Sequence, residues 1–131
     1  MRKRVTAVRL LCLLACVVMA MSALAQEGHP LTGSWRGDWG PSTTQRNHLV
    51  FLLKQDGSNL VGTINPGQDG IPLKVVTLDV SKWTVHFEAD AKDGTHIVAD
   101  GKLENIGSPY RTITGNWTQG TMKGTFKLTR N

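Results

Sequence analysis

The stretch that decides the fold is residues 83–103, WTVHFEADAKDGTHIVADGKL. Two runs of alternating apolar and polar residues flank Lys92-Asp93-Gly94, a set of turn formers that ends in glycine. Period-two alternation marks a strand with one buried face. A three-residue loop with glycine in the left-handed position joins two such strands into a hairpin. With that loop, Ala89 faces Ile97, Phe87 faces Ala99, Val85 faces Gly101 and Trp83 faces Leu103, while His86, Glu88, Asp90, His96 and Asp100 share the other face. A slip of one residue would send every side chain to the wrong face, so a register that separates apolar from polar residues argues for the hairpin itself.

The same alternation recurs on both sides of this segment. A type I′ turn at Asp56-Gly57 sets Leu53 opposite Leu60, Phe51 opposite Gly62 and Leu49 opposite Ile64. A turn at Gln119-Gly120 sets Trp117 opposite Met122, Gly115 opposite Gly124 and Ile113 opposite Phe126. Strand-like runs cover 31–39, 47–55, 59–65, 73–79, 82–89, 95–104, 111–117 and 121–130, and no window after residue 26 carries helical periodicity over three turns. The chain therefore reads as all-β. Four runs place glycine between two inward residues, at Gly62, Gly101, Gly115 and Gly124. Glycine costs a strand roughly 0.5–1 kcal/mol against alanine, so its repetition points to close packing or sharp coiling. Short turns, inward tryptophans and glycines at the bends predict a single antiparallel up-and-down β-barrel of about eight strands; a sandwich would need longer crossovers.

The N-terminal segment has a different character. Residues 1–25 combine the basic start Arg2-Lys3-Arg4, an apolar stretch from Leu10 to Met21, and the small-x-small site Ala23-Leu24-Ala25. These are the three parts of a secretory signal peptide, which predicts a secreted or periplasmic protein with its barrel domain over 26–131. The apolar run is shorter than the about 20 residues a spanning helix needs, so no membrane span is expected after signal removal. Leu13-Leu14-Ala15-Cys16 also resembles a lipobox, although Val17-Val18-Met19-Ala20 continues the apolar run past the cysteine. Both cysteines, Cys12 and Cys16, fall in this segment, so the domain must be held by its apolar core without disulfides. Four of the 15 basic residues also lie there, which leaves residues 26–131 with 11 positive and 10 negative side chains. A net of +1 removes the electrostatic case for a nucleic-acid partner.

Trp35, Gly37 and Trp39 open the first strand, and Gly115-Asn116-Trp117-Thr118-Gln119-Gly120 closes the seventh. Leu31-Thr32-Gly33-Ser34-Trp35 resembles the G-x-W start of lipocalins and avidins. Asp56-Gly57 followed by Leu60-Val61-Gly62-Thr63-Ile64, Trp83-Thr84-Val85, and Ile113-Thr114-Gly115-Asn116-Trp117 extend that likeness over most of residues 31–130. The chain is at least as similar to small secreted bacterial β-barrel proteins without assigned activity, which have W-x-G-x-W starts and G-x-W-x-Q-G ends. The resemblance implies a calycin-like barrel. Avidins carry a ligand-bonding asparagine two places after the tryptophan, and Gly37 holds that place here, which argues against biotin.

Catalytic chemistry finds little support. Residues 26–131 hold no cysteine nucleophile and no G-x-S-x-G elbow, so the chain is read as non-enzymatic. The nearest approach to a metal-ligand set is His86, Glu88, Asp90, His96 and Asp100, read as exposed cross-strand ion pairs with no metal or cofactor. His29 and His48 are read as solvated. Asn116-Trp117-Thr118 matches a glycosylation sequon within a strand, and Arg36-Gly37-Asp38 is treated as coincidence. The expected function is binding of a small apolar or amphipathic ligand, or a sugar, at the barrel mouth near Trp35, Trp39, Trp83 and Trp117. The alternative is a protein-interaction module, such as an inhibitor of a secreted or periplasmic hydrolase, acting through loops 40–46 and 65–72. An eight-stranded bore is either filled by side chains or holds one small ligand; an internal cavity would favour ligand capture, and a filled bore with an apolar rim would favour a protein partner.

Overall fold

In the computed structural model, which describes residues 28–131, eight antiparallel strands close into a barrel in the order of the chain. They are β1 (Gly33–Gly40), β2 (Asn47–Asp56), β3 (Asn59–Ile64), β4 (Ile71–Asp79), β5 (Thr84–Asp90), β6 (His96–Glu104), β7 (Thr112–Gln119) and β8 (Met122–Arg130). The protein is all-β, with the strands close to the runs read from alternation. The export signal expected over 1–25, with Cys12 and Cys16, lies outside the described residues. Among the described residues no helix is long and apolar enough to cross a membrane.

The β5–β6 hairpin has the expected register, with Ala89 paired to Ile97, Phe87 to Ala99 and Val85 to Gly101. Its loop is Lys92-Asp93-Gly94, with Gly94 at φ +88° and the Ala91 and Thr95 main chains bonded at 2.9 Å. The two shorter hairpins correct the expectation by two residues. Phe51 pairs with Ile64 and Leu53 with Gly62, around a Gly57-Ser58 loop. Trp117 pairs with Gly124 and Ile113 with Leu128, around Gly120-Thr121. The cause is the same in both. Gly57 and Gly120 have φ near +60° and are followed by residues at negative φ, which is the II′ pattern with glycine at the first loop position. The I′ turn expected at Asp56-Gly57 needs positive φ at both loop residues, so it would have forced Asp56 into the left-handed region. A two-residue shift preserves which side chains face inward.

The bore is packed along its length. Phe51 of β2 and Phe87 of β5 meet edge to face across it, centroids 5.0 Å apart. Leu49, Leu53, Ile64, Val85, Ile97, Leu103, Ile113 and Leu128 fill the space around them. No buried residue among those described is polar or charged. Sharp coiling appears where glycines bring strands together. A Cβ at Gly37 would lie 1.7 Å from the Lys127 carbonyl oxygen, and one at Gly115 would lie 1.9 Å from that of Asp100. The first contact is at the β1–β8 seam that closes the barrel, so an asparagine at position 37 has no room.

Candidate functional site

Strands that alternate up and down leave two ends. The β1–β2, β3–β4, β5–β6 and β7–β8 loops share one, called the loop-rich end; the β2–β3, β4–β5 and β6–β7 connections share the other. The opposite end is sealed. Leu31 is fully buried there, and the Trp35 indole Nε1 donates to its carbonyl oxygen at 2.8 Å. The Arg111 guanidinium donates to the carbonyls of Pro30 (2.9 Å) and Ile106 (3.0 Å), binding the segment before β1 across the barrel floor. Trp83 lies at this end too, in the β4–β5 turn at φ +54°, with its carbonyl accepting from Leu103 N–H at 2.8 Å.

The four tryptophans expected at one mouth are thus divided between the ends. Trp35 and Trp83 belong to the sealed end, and Trp39 and Trp117 to the loop-rich end. The signal for this was in the sequence: in an up-and-down barrel all odd-numbered strands run the same way. Trp35 and Trp83 stand at the starts of strands one and five, while Trp39 and Trp117 stand near the ends of strands one and seven. Four residues along a strand is about 13 Å, which separates Trp35 from Trp39.

At the loop-rich end Trp39 stacks on Trp117 with centroids 5.2 Å apart and planes inclined by 25°. Trp117 in turn meets Phe126 at 6.2 Å. The Trp117 ring is buried, and its Nε1–H has no hydrogen-bond partner among the described residues. An unmade bond of this kind costs roughly 1–3 kcal/mol. Trp39, backed by the buried Trp117, also walls a groove of about 570 Å³ together with Pro41, Thr44, Gln45, Arg46, Asn47 and Met122.

The groove keeps its shape through Arg46. Its guanidinium donates to Asp38 Oδ1 at 3.1 and 2.6 Å, to the Gly40 carbonyl at 3.2 Å and to Thr125 Oγ1 at 3.0 Å. One side chain thereby ties the β1–β2 loop to β1 and β8, and its charge is spent on Asp38. The carboxamides of Gln45 and Asn47 make no hydrogen bond with any described residue. The β3–β4 loop on the same rim is pinned by Asn65, which donates its N–H to the Val50 carbonyl (2.6 Å) and accepts from Val50 N–H (2.9 Å). Lys92 joins it to the β5–β6 loop by donating to Asp69 Oδ1 at 3.0 Å.

On the outer wall, His86 stands opposite Asp100 and Asp90 opposite His96, as expected. Sequence reasoning missed the part played by Glu88, which lies between the two imidazoles and accepts from both, at 2.9 Å from His86 and 2.8 Å from His96. Spacing of H-x-E-x-D along one strand face was the available signal. Among the described residues no three such side chains converge closely enough to hold a metal ion. Beside this chain runs an open groove of about 470 Å³ bordered by Thr77, Thr84, His86, Lys102, Thr114 and Asn116. His29 departs from the expected solvated state: it is half-buried, its Nδ1 accepts from Leu31 N–H at 3.2 Å, and burial holds its pKa down. His48 is exposed, as expected. Comparison with protein-family models, curated proteins and solved structures found no match.

Proposed function

We propose that this protein is an exported, non-enzymatic barrel that binds a neutral, hydroxyl-bearing small ligand such as a sugar at its loop-rich rim. The observation that carries the reading is Trp39, which is backed by the buried Trp117 ring and forms one wall of a groove of about 570 Å³. An aromatic face accepts the apolar C–H face of a sugar ring or the body of an amphipathic molecule. The free carboxamides of Gln45 and Asn47 each offer both donors and an acceptor, which suits hydroxyl groups. No uncompensated charge lines the groove, since Arg46 is paired with Asp38, and this favours a neutral ligand over an ionic one. Because large apolar side chains occupy the bore, the proposed ligand is assigned to the rim, and Trp35 and Trp83 are left out of the proposed binding set.

The test is intrinsic tryptophan fluorescence of the purified protein titrated with oligosaccharides, lipids and flavins, alongside Trp39→Ala. A saturable shift with an oligosaccharide that Trp39→Ala abolishes supports the reading, and silence across the panel removes it. A second reading, as an inhibitor or other module for a secreted protein partner, is favoured by the filled bore and by the β1–β2 and β3–β4 loops sharing one rim beside exposed Met122. A partner captured from the exporting cell and lost on substitution of those loops, with no ligand response, would select it.

A further inference from the structure

The outer face of β4, β5 and β6 carries an unbroken chain of alternating charge. Asp100 Oδ1 meets His86 Nδ1 at 2.5 Å, and His86 Nε2 meets Glu88 Oε2 at 2.9 Å. Glu88 Oε1 meets His96 Nε2 at 2.8 Å, and His96 Nδ1 meets Asp90 Oδ1 at 2.8 Å. Asp90 is closed off by the Lys74 ammonium, presented from the bulge between Leu73 and Val75. Both nitrogens of both imidazoles thus face carboxylate oxygens. An ionised carboxylate only accepts, and a neutral imidazole has one N–H and one lone pair. Only the doubly protonated ring satisfies two carboxylates at once. On deprotonation each ring keeps one bond and turns a lone pair toward the other carboxylate.

We propose that this chain is a proton-operated clasp, which locks the β4–β5–β6 wall in mild acid and releases it in mild alkali. With both rings protonated, the six side chains balance at zero net charge; with both neutral, they carry −2. Other ionisable groups on the wall are Asp79 of β4 and Lys102 and Glu104 of β6, which lie outside the hydrogen-bonded chain, while β7 contributes none. The carboxylates hold the proton on His86 and His96, above the ordinary 6.5, chiefly through the bonds from Asp100 and Asp90 and then from Glu88. A folded-state pKa raised in this way gives stability that is complete below 6.5 and lost as pH climbs through the folded value. Glu88 is shifted down by its bonds to His86 and His96, and Asp90 first by Lys74 and then by His96, so their share is present above their ordinary values and lost as pH falls further. The clasp is therefore tightest between roughly pH 4.5 and 6.5.

The experiment is an NMR titration of the imidazole signals of the purified protein, together with thermal melts at pH 5.5 and 8.5. His86 and His96 are expected to half-titrate above 6.5 and His29 below it, with a higher Tm at pH 5.5. The variant His86→Gln/His96→Gln, whose amides do not titrate in this range, is expected to lose at least half of that Tm difference. Protection factors of the β4 and β5 amides, taken against the intrinsic base-catalysed rate, should fall at pH 8.5 in the parent protein and stay level in the variant. Midpoints of both rings at or below 6.5 would overturn the clasp, and so would a variant that keeps the full difference. Should the variant fail to fold, the ring midpoints of the parent protein decide.

Discussion

Replacing Gly37 with alanine tests the way the barrel closes. The added Cβ would sit 1.7 Å from Lys127 O and 2.7 Å from Lys127 C, where real Cβ atoms do not come closer than 3.0 Å. Both obstacles are backbone, so no side chain can swing aside. The β1–β8 seam must widen by more than a full ångström, against a strand spacing of about 4.8 Å. Overpacking of this kind costs about 1–3 kcal/mol. Two ladder bonds beside Gly37 would lengthen beyond use, adding ~1 kcal/mol each. The sum is a loss of roughly 3–5 kcal/mol, which for a domain of this size lowers Tm by at least ~12 °C. Gly107→Ala is the control, because nothing lies within 4 Å of its added Cβ and its φ is not left-handed; it should change stability by less than about 0.5 kcal/mol. Circular dichroism melts of the two variants against the parent protein give the comparison. Equal melting points for Gly37→Ala and the parent would refute the close approach at the seam, and with it the account of why an asparagine is excluded there.

Two further substitutions separate the ends of the barrel. Trp35→Phe removes the Nε1–Leu31 bond at the sealed end and should cost ~1–3 kcal/mol for that bond alone, whereas Trp117→Phe removes an N–H that has no partner and should cost less; urea unfolding midpoints rank the two. Arg46→Ala releases the β1–β2 loop from Asp38, Gly40 and Thr125. Because the ion pair is partly exposed, the stability loss should stay near ~1 kcal/mol, while amide exchange over 42–46 accelerates and any ligand response at Trp39 weakens.

Strand number, inward faces and barrel class were determined by the sequence alone, because they depend on period-two alternation and on turn formers, which are local. The β5–β6 register was legible to the residue because Gly94 leaves one arrangement for its three-residue loop. At Gly57 and Gly120 the pattern could not choose between registers two residues apart, since a shift of two keeps every side chain on its face. Backbone geometry chose, by placing glycine at the first loop position. The site was partly legible: the His86–Asp100 and Asp90–His96 pairs follow from register, and the 40–46 loop does border the rim groove. Tertiary closure decided what no local pattern contains. It stacked Trp39 on Trp117 from strands far apart in the chain, left one indole N–H without an acceptor, and filled the bore with Phe51 and Phe87. Such contacts depend on side-chain volume inside a closed ring of strands, which is settled only when β8 returns to β1.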